Sequence, residues 1–263
     1  MPYRLDIAGP PPDALDLLVQ CGALDVEPVP DGLAALLPDG VTPEAVAAAL
    51  GGARVTVSAA VARDNGSVWL LRPRPVQIGG VLIAPAEAAA PPNALRLTDA
   101  PAFGTGHHPT TALCIEALEE ILTNERVESI LDVGTGSGIL ALAALQLGVG
   151  QAVGLDLDAE VLTVAAENAR LNNLADRLQL VLGGPEVVDG HWPLVVANVL
   201  AAPLMEMAPV LVRRVGSRGR LLLSGIPWSL ASEVQQTYQH FGMWSISLKT
   251  RAGWTVLITQ ASW

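Results

Sequence analysis

A glycine-rich segment and an acid farther along the chain are the residues best suited to hold a cofactor. Residues 131–138 read LDVGTGSG, and glycines at this spacing let a backbone turn sharply and approach a ligand closely. Asp156 follows Gly134 by 22 residues at the end of a predicted strand, where a carboxylate can accept hydrogen bonds from both hydroxyls of a ribose. The pair predicts a site for a nucleoside-containing cofactor. The competing interpretation is a plain glycine turn beside a solvated acid.

Two further polar residues lie at predicted strand ends in the same region. Asn198, in VVANVLA, ends a strand, and the carboxyl ends of parallel strands face the ligand crevice of an open sheet. We therefore expect its amide in the site, the alternative being a turn or capping asparagine. Asp132 precedes the glycines, where a carboxylate can bind loop N–H groups and hold the turn.

The segment APAFGTGHHPTTALC, residues 100–114, brings histidines, threonines and glycines together between apolar runs. A metal site is disfavoured, because adjacent histidines project apart and the sequence offers no spaced cluster of carboxylates to complete a ligand set. Pro109 fits the first position of a helix, and Thr105 or Thr110 could cap that helix. We predict no metal here.

Composition limits the classes of protein to which this chain can belong. Its 263 residues are 51% hydrophobic and 16% charged, which provides a sizeable core and argues against extensive disorder. No apolar run reaches the roughly 20 residues of a membrane span, and the amino terminus shows no export signal. The two cysteines are too few for a disulfide framework or a zinc site. We expect a monomeric cytoplasmic protein.

The charge distribution favours a basic partner. The net charge is −11, and residues 1–61 hold eight acids and two bases. A negative surface attracts cationic groups and repels phosphate backbones, so a nucleic-acid substrate is disfavoured. Solubility alone would also explain the charge.

The predicted elements form two domains joined by a connector. Residues 1–61 give the order βαββαβ, typical of a small ferredoxin-like α+β domain, with Thr42 capping its second helix. We interpret residues 62–74 as a connector or hinge. In the second domain, residues 75–263, short apolar strands alternate with helices from about residue 112. This pattern predicts a mostly parallel sheet covered on both faces, with a hairpin at the carboxyl terminus.

The acid followed by Gly-x-Gly-x-Gly in residues 131–138 resembles the first motif of the class I S-adenosylmethionine-dependent methyltransferases. The resemblance implies a Rossmann-like α/β domain that binds S-adenosyl-L-methionine, with the loop against the methionine part and Asp156 on the ribose. Ile139 interrupts the spacing of a dinucleotide fingerprint, which disfavours a nicotinamide-dependent oxidoreductase. Asn-Val-Leu-Ala, from Asn198, replaces the Asn-Pro-Pro-aromatic sequence of many amino-methylating relatives, which disfavours methylation of a nucleobase.

FGTGHHPTT, residues 103–111, is the most specific part of a closer resemblance. Together with LDVGTGSGILALAALQLG, GLDLD and VVANVLAAPL, it is similar to the PrmA-type ribosomal protein L11 methyltransferases, from about Trp69 to the carboxyl terminus. That family has a ferredoxin-like domain that binds the substrate. The resemblance implies cofactor-binding residues at Thr111, Gly134, Asp156 and Asn198, to which we add the neighbours Phe103, Thr110 and Gly136.

Two departures from the family precede the best-matching segment. APAE, residues 84–87, lacks a tryptophan that is common there, and Asp99-Ala100-Pro101 replaces a commoner acid-proline-glycine. Both lie on the approach to the loop rather than in the cofactor motifs.

The resemblance implies a protein methyltransferase acting on lysine side-chain amines of ribosomal protein L11, with the terminal amine as a second acceptor. A lysine, with an ordinary pKa of about 10.4, must lose its proton before it can attack a methyl group. A neutral amide oxygen accepts an amine hydrogen without stabilising the ammonium as a carboxylate would, which makes Asn198 the catalytic candidate. The alternatives are a methyltransferase of another protein or of RNA, and a non-catalytic binding module on the same fold.

Overall fold

The structure, a computed structural model, describes residues 1–64, 66–100 and 102–263. The chain forms two compact units, residues 1–73 and residues 74–263. Asn65, in the predicted connector, and Pro101, in one of the departures from the family sequence, lie outside the described residues.

The first unit is an antiparallel sheet covered by helices. Its elements are β1 (Tyr3–Ala8), α1 (Ala14–Gln20), β2 (Asp25–Val29), β3 (Gly32–Leu37), α2 (Pro43–Ala49) and β4 (Arg54–Ala59). The sheet order is β2-β3-β1-β4, and all neighbouring strands pair antiparallel. Alternation along β1 explains the layering, because Leu5 and Ile7 enter the core with the helices while Arg4 and Asp6 pair with each other. Thr42 caps α2, as predicted.

The predicted connector is mostly held by the first unit. It contains a short antiparallel hairpin of β5 (Ala62–Arg63) and β6 (Val68–Trp69). Beyond the hairpin, the Leu71 N–H donates to the Asp25 carboxylate at 3.0 Å, and Arg72 pairs with Glu27 at 2.7 Å. The hinge role of residues 62–74 stays a prediction.

The second unit is an α/β domain. It begins with a small sheet of β7 (Val76–Ile78), β8 (Val81–Pro85) and β9 (Leu95–Leu97). The elements that follow are α3 (Pro109–Asn124), β10 (Ser129–Val133), α4 (Ile139–Gln146), β11 (Gln151–Asp156), α5 (Ala159–Leu171), β12 (Leu178–Leu182), β13 (Trp192–Asn198), α6 (Ala201–Arg214), β14 (Val215–Pro227), α7 (Ala231–His240), β15 (Met243–Arg251) and β16 (Trp254–Ala261). The central sheet has the order β12-β11-β10-β13-β14-β16-β15, with β16 antiparallel to both of its neighbours.

Both faces of this sheet are buried, which explains why its strands are apolar on both sides. Ile130 and Leu194 enter a core shared with α3 and α4, whereas Leu131 and Val195 enter a second core shared with α6 and α7. The predicted alternation of helices and strands and the terminal hairpin are confirmed. Within the described residues, no helix is long and apolar enough to cross a membrane.

The sheet has a switch point that places the candidate site. The chain passes from β10 to β11 and β12 on one side, then returns to β13 on the other side of β10. Ligands of open α/β sheets bind outside the carboxyl ends of the strands at such a point. The loops that follow β10, β11 and β13 meet at this edge.

The start of α3 corrects one expectation. Pro109 is the first helical residue, as predicted, but the cap is His108, whose Nδ1 accepts the Thr110 N–H at 3.3 Å. The expected caps were wrong. Thr105 lies before the helix and accepts the His107 N–H at 3.4 Å, while Thr110 is already inside the first turn.

Candidate functional site

The loop after β10 has a shape that only glycine permits. Gly134, Gly136 and Gly138 have φ angles of +72°, +57° and +82°. A Cβ on Gly134 would lie 2.4 Å from Val199 Cγ1, and one on Gly136 would lie 2.7 Å from the Phe103 carbonyl oxygen. Glycine is therefore required in this cradle of residues 134–138 because Val199 and Phe103 pack closely against its backbone, at the switch point of the sheet.

Asp132, in β10, stabilises the loop that follows this strand. Its carboxylate is completely buried, and Oδ2 accepts the Thr135 hydroxyl at 2.7 Å and the Ala141 N–H at 3.2 Å. Burial raises the pKa of Asp132 to about 6, although the hydrogen bonds from Thr135 and Ala141 act in the opposite direction. The other oxygen, Oδ1, has no hydrogen-bond partner among the described residues.

Asp156 lies beside the loop at the end of β11. Its Oδ2 accepts the Gly136 N–H at 3.0 Å, and its Oδ1 accepts the Asp158 N–H at 3.2 Å. A carboxylate has about four acceptor positions, so two remain for a ligand such as a ribose diol. Leu157, the next residue, is 80% exposed and presents an apolar surface at the same edge.

Asn198 and Thr111 each carry a buried polar atom that lacks a hydrogen-bond partner among the residues the structure describes. Asn198 ends β13 and pairs with Ser224 of β14, and its Oδ1 makes no hydrogen bond within the described part of the chain. The Thr111 hydroxyl, in the first turn of α3, is also buried and unbonded there. An unsatisfied buried polar group costs about 1–3 kcal/mol, so such atoms point to a bound ligand.

The segment before α3 lies directly on the glycine loop. The Phe103 carbonyl accepts the Ser137 N–H at 2.9 Å, and the Gly104 carbonyl accepts the Ser137 hydroxyl at 2.8 Å. The buried His108 ring makes edge contacts with Phe103 and Trp254, with ring centroids 5.4 and 5.1 Å apart. Phe103 is therefore fixed beside the cradle by both its backbone and its ring.

The two threonines of this segment differ. The Thr110 hydroxyl is already bonded to His108 Nδ1 at 2.7 Å, whereas the Thr111 hydroxyl has no partner in the described chain. Of the two, Thr111 has the hydroxyl that can contact a ligand. His107 directs Nε2 to the Arg74 carbonyl at 3.1 Å, and the described residues contain no group of three or more potential metal ligands.

Sequence reasoning missed three residues that support the site: Ser137, Trp254 and Asn168. Ser137 and Trp254 contact the segment before α3, and Asn168 binds the Ser137 carbonyl from α5 at 2.9 Å. Asn168 did leave a signal, because an asparagine inside a helix is unfavourable unless its side chain finds a specific partner.

Comparison with known proteins adds to this geometry. Residues 43–262 match the family model described as ribosomal protein L11 methyltransferase (PrmA). The chain is 40% identical over 181 residues to a ribosomal protein L11 methyltransferase of Pelobacter propionicus, covering 66% of this chain and 59% of that protein. It is 42% identical over 176 residues to that of Hamiltonella defensa, covering 65% of this chain and 57% of that protein.

A solved structure is similar over most of the chain. The ribosomal protein L11 methylase of Lactobacillus delbrueckii subsp. bulgaricus superposes with a TM-score of 0.66 at 29% identity, covering 71% of this chain and 97% of that one. The chain thus matches less than two thirds of the length of the two curated relatives and nearly all of this solved chain.

Proposed function

This chain belongs to the family of ribosomal protein L11 methyltransferases, and we propose that it transfers methyl groups from S-adenosyl-L-methionine to lysine side-chain amines of ribosomal protein L11. The terminal amine of the same substrate is the second acceptor. The observation that carries the proposal is the buried Oδ1 of Asn198 at the sheet's switch point, which has no hydrogen-bond partner among the described residues and whose neighbour Val199 packs against Gly134.

The residues present suit S-adenosyl-L-methionine, whose sulfonium group supplies an activated methyl group when it is bound. The backbone at Gly134 and Gly136 offers the close approach that its amino-acid part needs. Asp156 has acceptor positions left for the ribose hydroxyls. Thr111 offers a hydroxyl that has no partner among the described residues, and Phe103 adds an apolar ring that packs against His108. We include Thr110 for its buried place in the same turn.

Asn198 acts on the incoming amine. Lysine attacks only as the neutral amine, so a group that stabilises the ammonium would slow the reaction. The Asn198 amide oxygen accepts an amine hydrogen and directs the nitrogen lone pair without adding a charge. Bound S-adenosyl-L-methionine would supply the methyl group, and Asn198 would hold the amine in place while its proton passes to solvent.

Two exposed apolar side chains lie beyond the carboxyl ends of β13 and β14. Leu200 and Trp228 follow the carboxyl ends of β13 and β14, and they are 65% and 60% exposed. The aliphatic stem of a lysine is suited to such a surface, and partial removal of water favours the uncharged amine. These side chains support an aliphatic amine as the acceptor.

We assign the first unit to the ferredoxin-like class and give it the recognition of the protein substrate. The sheet order β2-β3-β1-β4 supports the assignment, as do the two helices that connect β1 to β2 and β3 to β4. Eight acids against two bases in residues 1–61 suit a lysine-bearing partner. The proposal describes a monomeric cytoplasmic enzyme that acts on protein rather than on nucleic acid.

Calorimetry tests the cofactor half of the proposal. Titration of the protein with S-adenosylhomocysteine should give saturable binding, while NADH should give none, because Ile139 interrupts the dinucleotide spacing. Binding of NADH in preference to S-adenosylhomocysteine would refute the assignment of the cofactor.

A further inference from the structure

The segment between β9 and α3 carries Phe103 to the glycine loop without forming a helix or strand of its own. Its described residues are 98–100 and 102–108. A segment of this kind keeps one conformation only when other parts of the chain hold it at defined points. Among the described residues, hydrogen bonds hold the segment at Thr98 and again at Phe103 and Gly104.

Ser137 holds the far end. It donates its N–H to the Phe103 carbonyl at 2.9 Å and its hydroxyl to the Gly104 carbonyl at 2.8 Å. Ser137 is 5% exposed and belongs to the glycine loop itself. The position of Phe103 is thereby coupled to the conformation of that loop.

Asn168 holds the near end and also binds Ser137. From α5, its Oδ1 accepts the Thr98 N–H at 2.8 Å and the Thr98 hydroxyl at 3.1 Å. Its Nδ2 donates to the Ser137 carbonyl at 2.9 Å. The side chain is completely buried, so water cannot take over these bonds. One amide therefore connects the start of the segment to the residue that holds its end.

We propose that Asn168 is a positioning residue of the cofactor site. It closes a ring of hydrogen bonds through Thr98, Ser137 and Phe103 and so keeps the segment against the glycine loop before any ligand arrives. This inference rests on the proposed function, because the ligand in question is S-adenosyl-L-methionine. A pre-ordered segment raises affinity, since less conformational entropy is lost on binding.

Asn172 provides a matched control on the same helix face. Its Oδ1 accepts the Arg96 N–H, and its Nδ2 donates to the Arg96 and Asn168 carbonyls, each at 2.7 Å. These bonds hold β9, but they reach neither Ser137 nor residues 98–104. Truncation of either asparagine removes three side-chain hydrogen bonds, one of which at Asn172 lies within α5 and its cap, and only Asn168→Ala opens the ring.

The experiment compares Asn168→Ala with Asn172→Ala by calorimetry with S-adenosylhomocysteine and by hydrogen exchange of the ligand-free proteins. We expect Asn168→Ala to bind about tenfold more weakly, as for the loss of one well-formed hydrogen bond, and Asn172→Ala to bind within about twofold of wild type. The amides of Thr98 and Ser137 should exchange faster in Asn168→Ala alone.

Equal weakening by both variants, or unchanged exchange at Ser137 in Asn168→Ala, would overturn the positioning role. If Asn168→Ala does not fold, Ser137→Ala and Thr98→Val each remove one side-chain hydrogen bond that holds the segment, and both should weaken binding more than Asn172→Ala does. The exchange data do not depend on the cofactor. A wild-type protein that fails to bind S-adenosylhomocysteine would therefore refute the proposed function, while Ser137 exchange would still decide whether Asn168 orders the segment.

Discussion

Two loops leave the same edge of the sheet, yet they are built in opposite ways. In the loop after β10, the backbone N–H of Gly134 binds the Leu155 carbonyl at 2.9 Å, that of Gly136 binds Asp156, and that of Ser137 binds Phe103. After β13, the Asn198 amide oxygen is buried without a partner in the described chain, and Leu200 is 65% exposed.

This difference indicates separate roles for the two loops: the loop after β10 holds the cofactor, and the loop after β13 takes part in the reaction. A loop whose groups are satisfied keeps one shape and can bind a cofactor through that shape. A buried acceptor without a partner costs stability, and such a cost is typical of sites where a substrate completes the hydrogen bonds. We therefore expect substitutions after β10 to change cofactor affinity, and substitutions after β13 to change the rate of transfer.

The largest effect should come from Asn198. Asn198→Ala should lower the rate of methyl transfer to ribosomal protein L11 by about a hundredfold or more, with S-adenosylhomocysteine affinity changed much less. Asn198→Asp should shift the rate profile to higher pH, because a carboxylate stabilises the ammonium and raises the amine pKa. Single-turnover rates across pH measure both effects. If neither substitution affects the rate, Asn198 is a structural residue and the comparison of the two loops fails.

A substitution at Asp156 should change cofactor affinity more than it changes the rate of methyl transfer. Asp156→Ala should weaken S-adenosylhomocysteine binding by about ten- to a hundredfold, because it removes the acceptor for the ribose hydroxyls and the bond to the Gly136 N–H. Asp158→Ala is the control, since it removes the same charge two residues away and loses only a helix cap to Glu160. Equal weakening by both substitutions would mean that charge, and not contact, controls affinity.

Gly134 tests whether the two loops depend on each other. Gly134→Ala should weaken cofactor binding by about tenfold, because the new Cβ would lie 2.4 Å from Val199 Cγ1. Gly51 has a similar φ of +68°, and a Cβ added there would meet no atom within 4 Å. The loss of unfolding free energy in Gly51→Ala therefore measures the backbone strain alone. Adding Val199→Ala to Gly134→Ala should restore part of the affinity. An absence of rescue would show that strain, rather than the contact between the loops, is responsible.

Asp132 should make stability depend on pH. Its pKa is raised from 3.8 to about 6 by burial, so its contribution to stability is fully present below about pH 3.8 and is lost as the pH rises through about 6. Between pH 5 and pH 8 the wild type should lose about 1 kcal/mol of unfolding free energy relative to Asp132→Asn, which has no charge to bury. Urea unfolding at both pH values measures this difference. Parallel pH dependence in the two proteins would contradict the raised pKa.

The smallest effect should come from the exposed rim beside Asn198. Trp228→Ala should raise the KM for ribosomal protein L11 about threefold, since an exposed aromatic contact is worth under 1 kcal/mol. Trp244→Ala is the control, because Trp244 is 62% exposed, against 60% for Trp228, but lies on the edge strand β15. A larger effect at Trp244 would place the substrate elsewhere.

Local patterns account for what could be predicted from the sequence. The loop after β10 could be predicted from the spacing of its glycines alone. The alternation of strands and helices could be predicted from apolar periodicity. The capping residue of α3 could not be read in the same way. Thr105 and Thr110 have ordinary capping side chains, whereas His108 caps the helix because its ring is buried between Phe103 and Trp254.

Contacts between distant residues account for the rest. Asn168 meets Thr98 across 70 positions of the sequence, and His108 meets Trp254 across a still longer separation. No periodicity encodes either pair, because each depends on how α5 or β16 packs in the finished fold. The lack of a partner for the Asn198 amide oxygen within the described chain is likewise a property of its surroundings, although its place at a strand end was predictable.

Mass spectrometry of ribosomal protein L11 tests the central claim most directly. The purified substrate is incubated with S-adenosyl-L-methionine and either the wild-type enzyme or Asn198→Ala, and its peptides are then mapped. We expect added methyl groups on lysine side chains with the wild type and almost none with Asn198→Ala at the same time point. An L11 mass that stays unchanged, with a wild-type enzyme that binds S-adenosylhomocysteine, would contradict this claim.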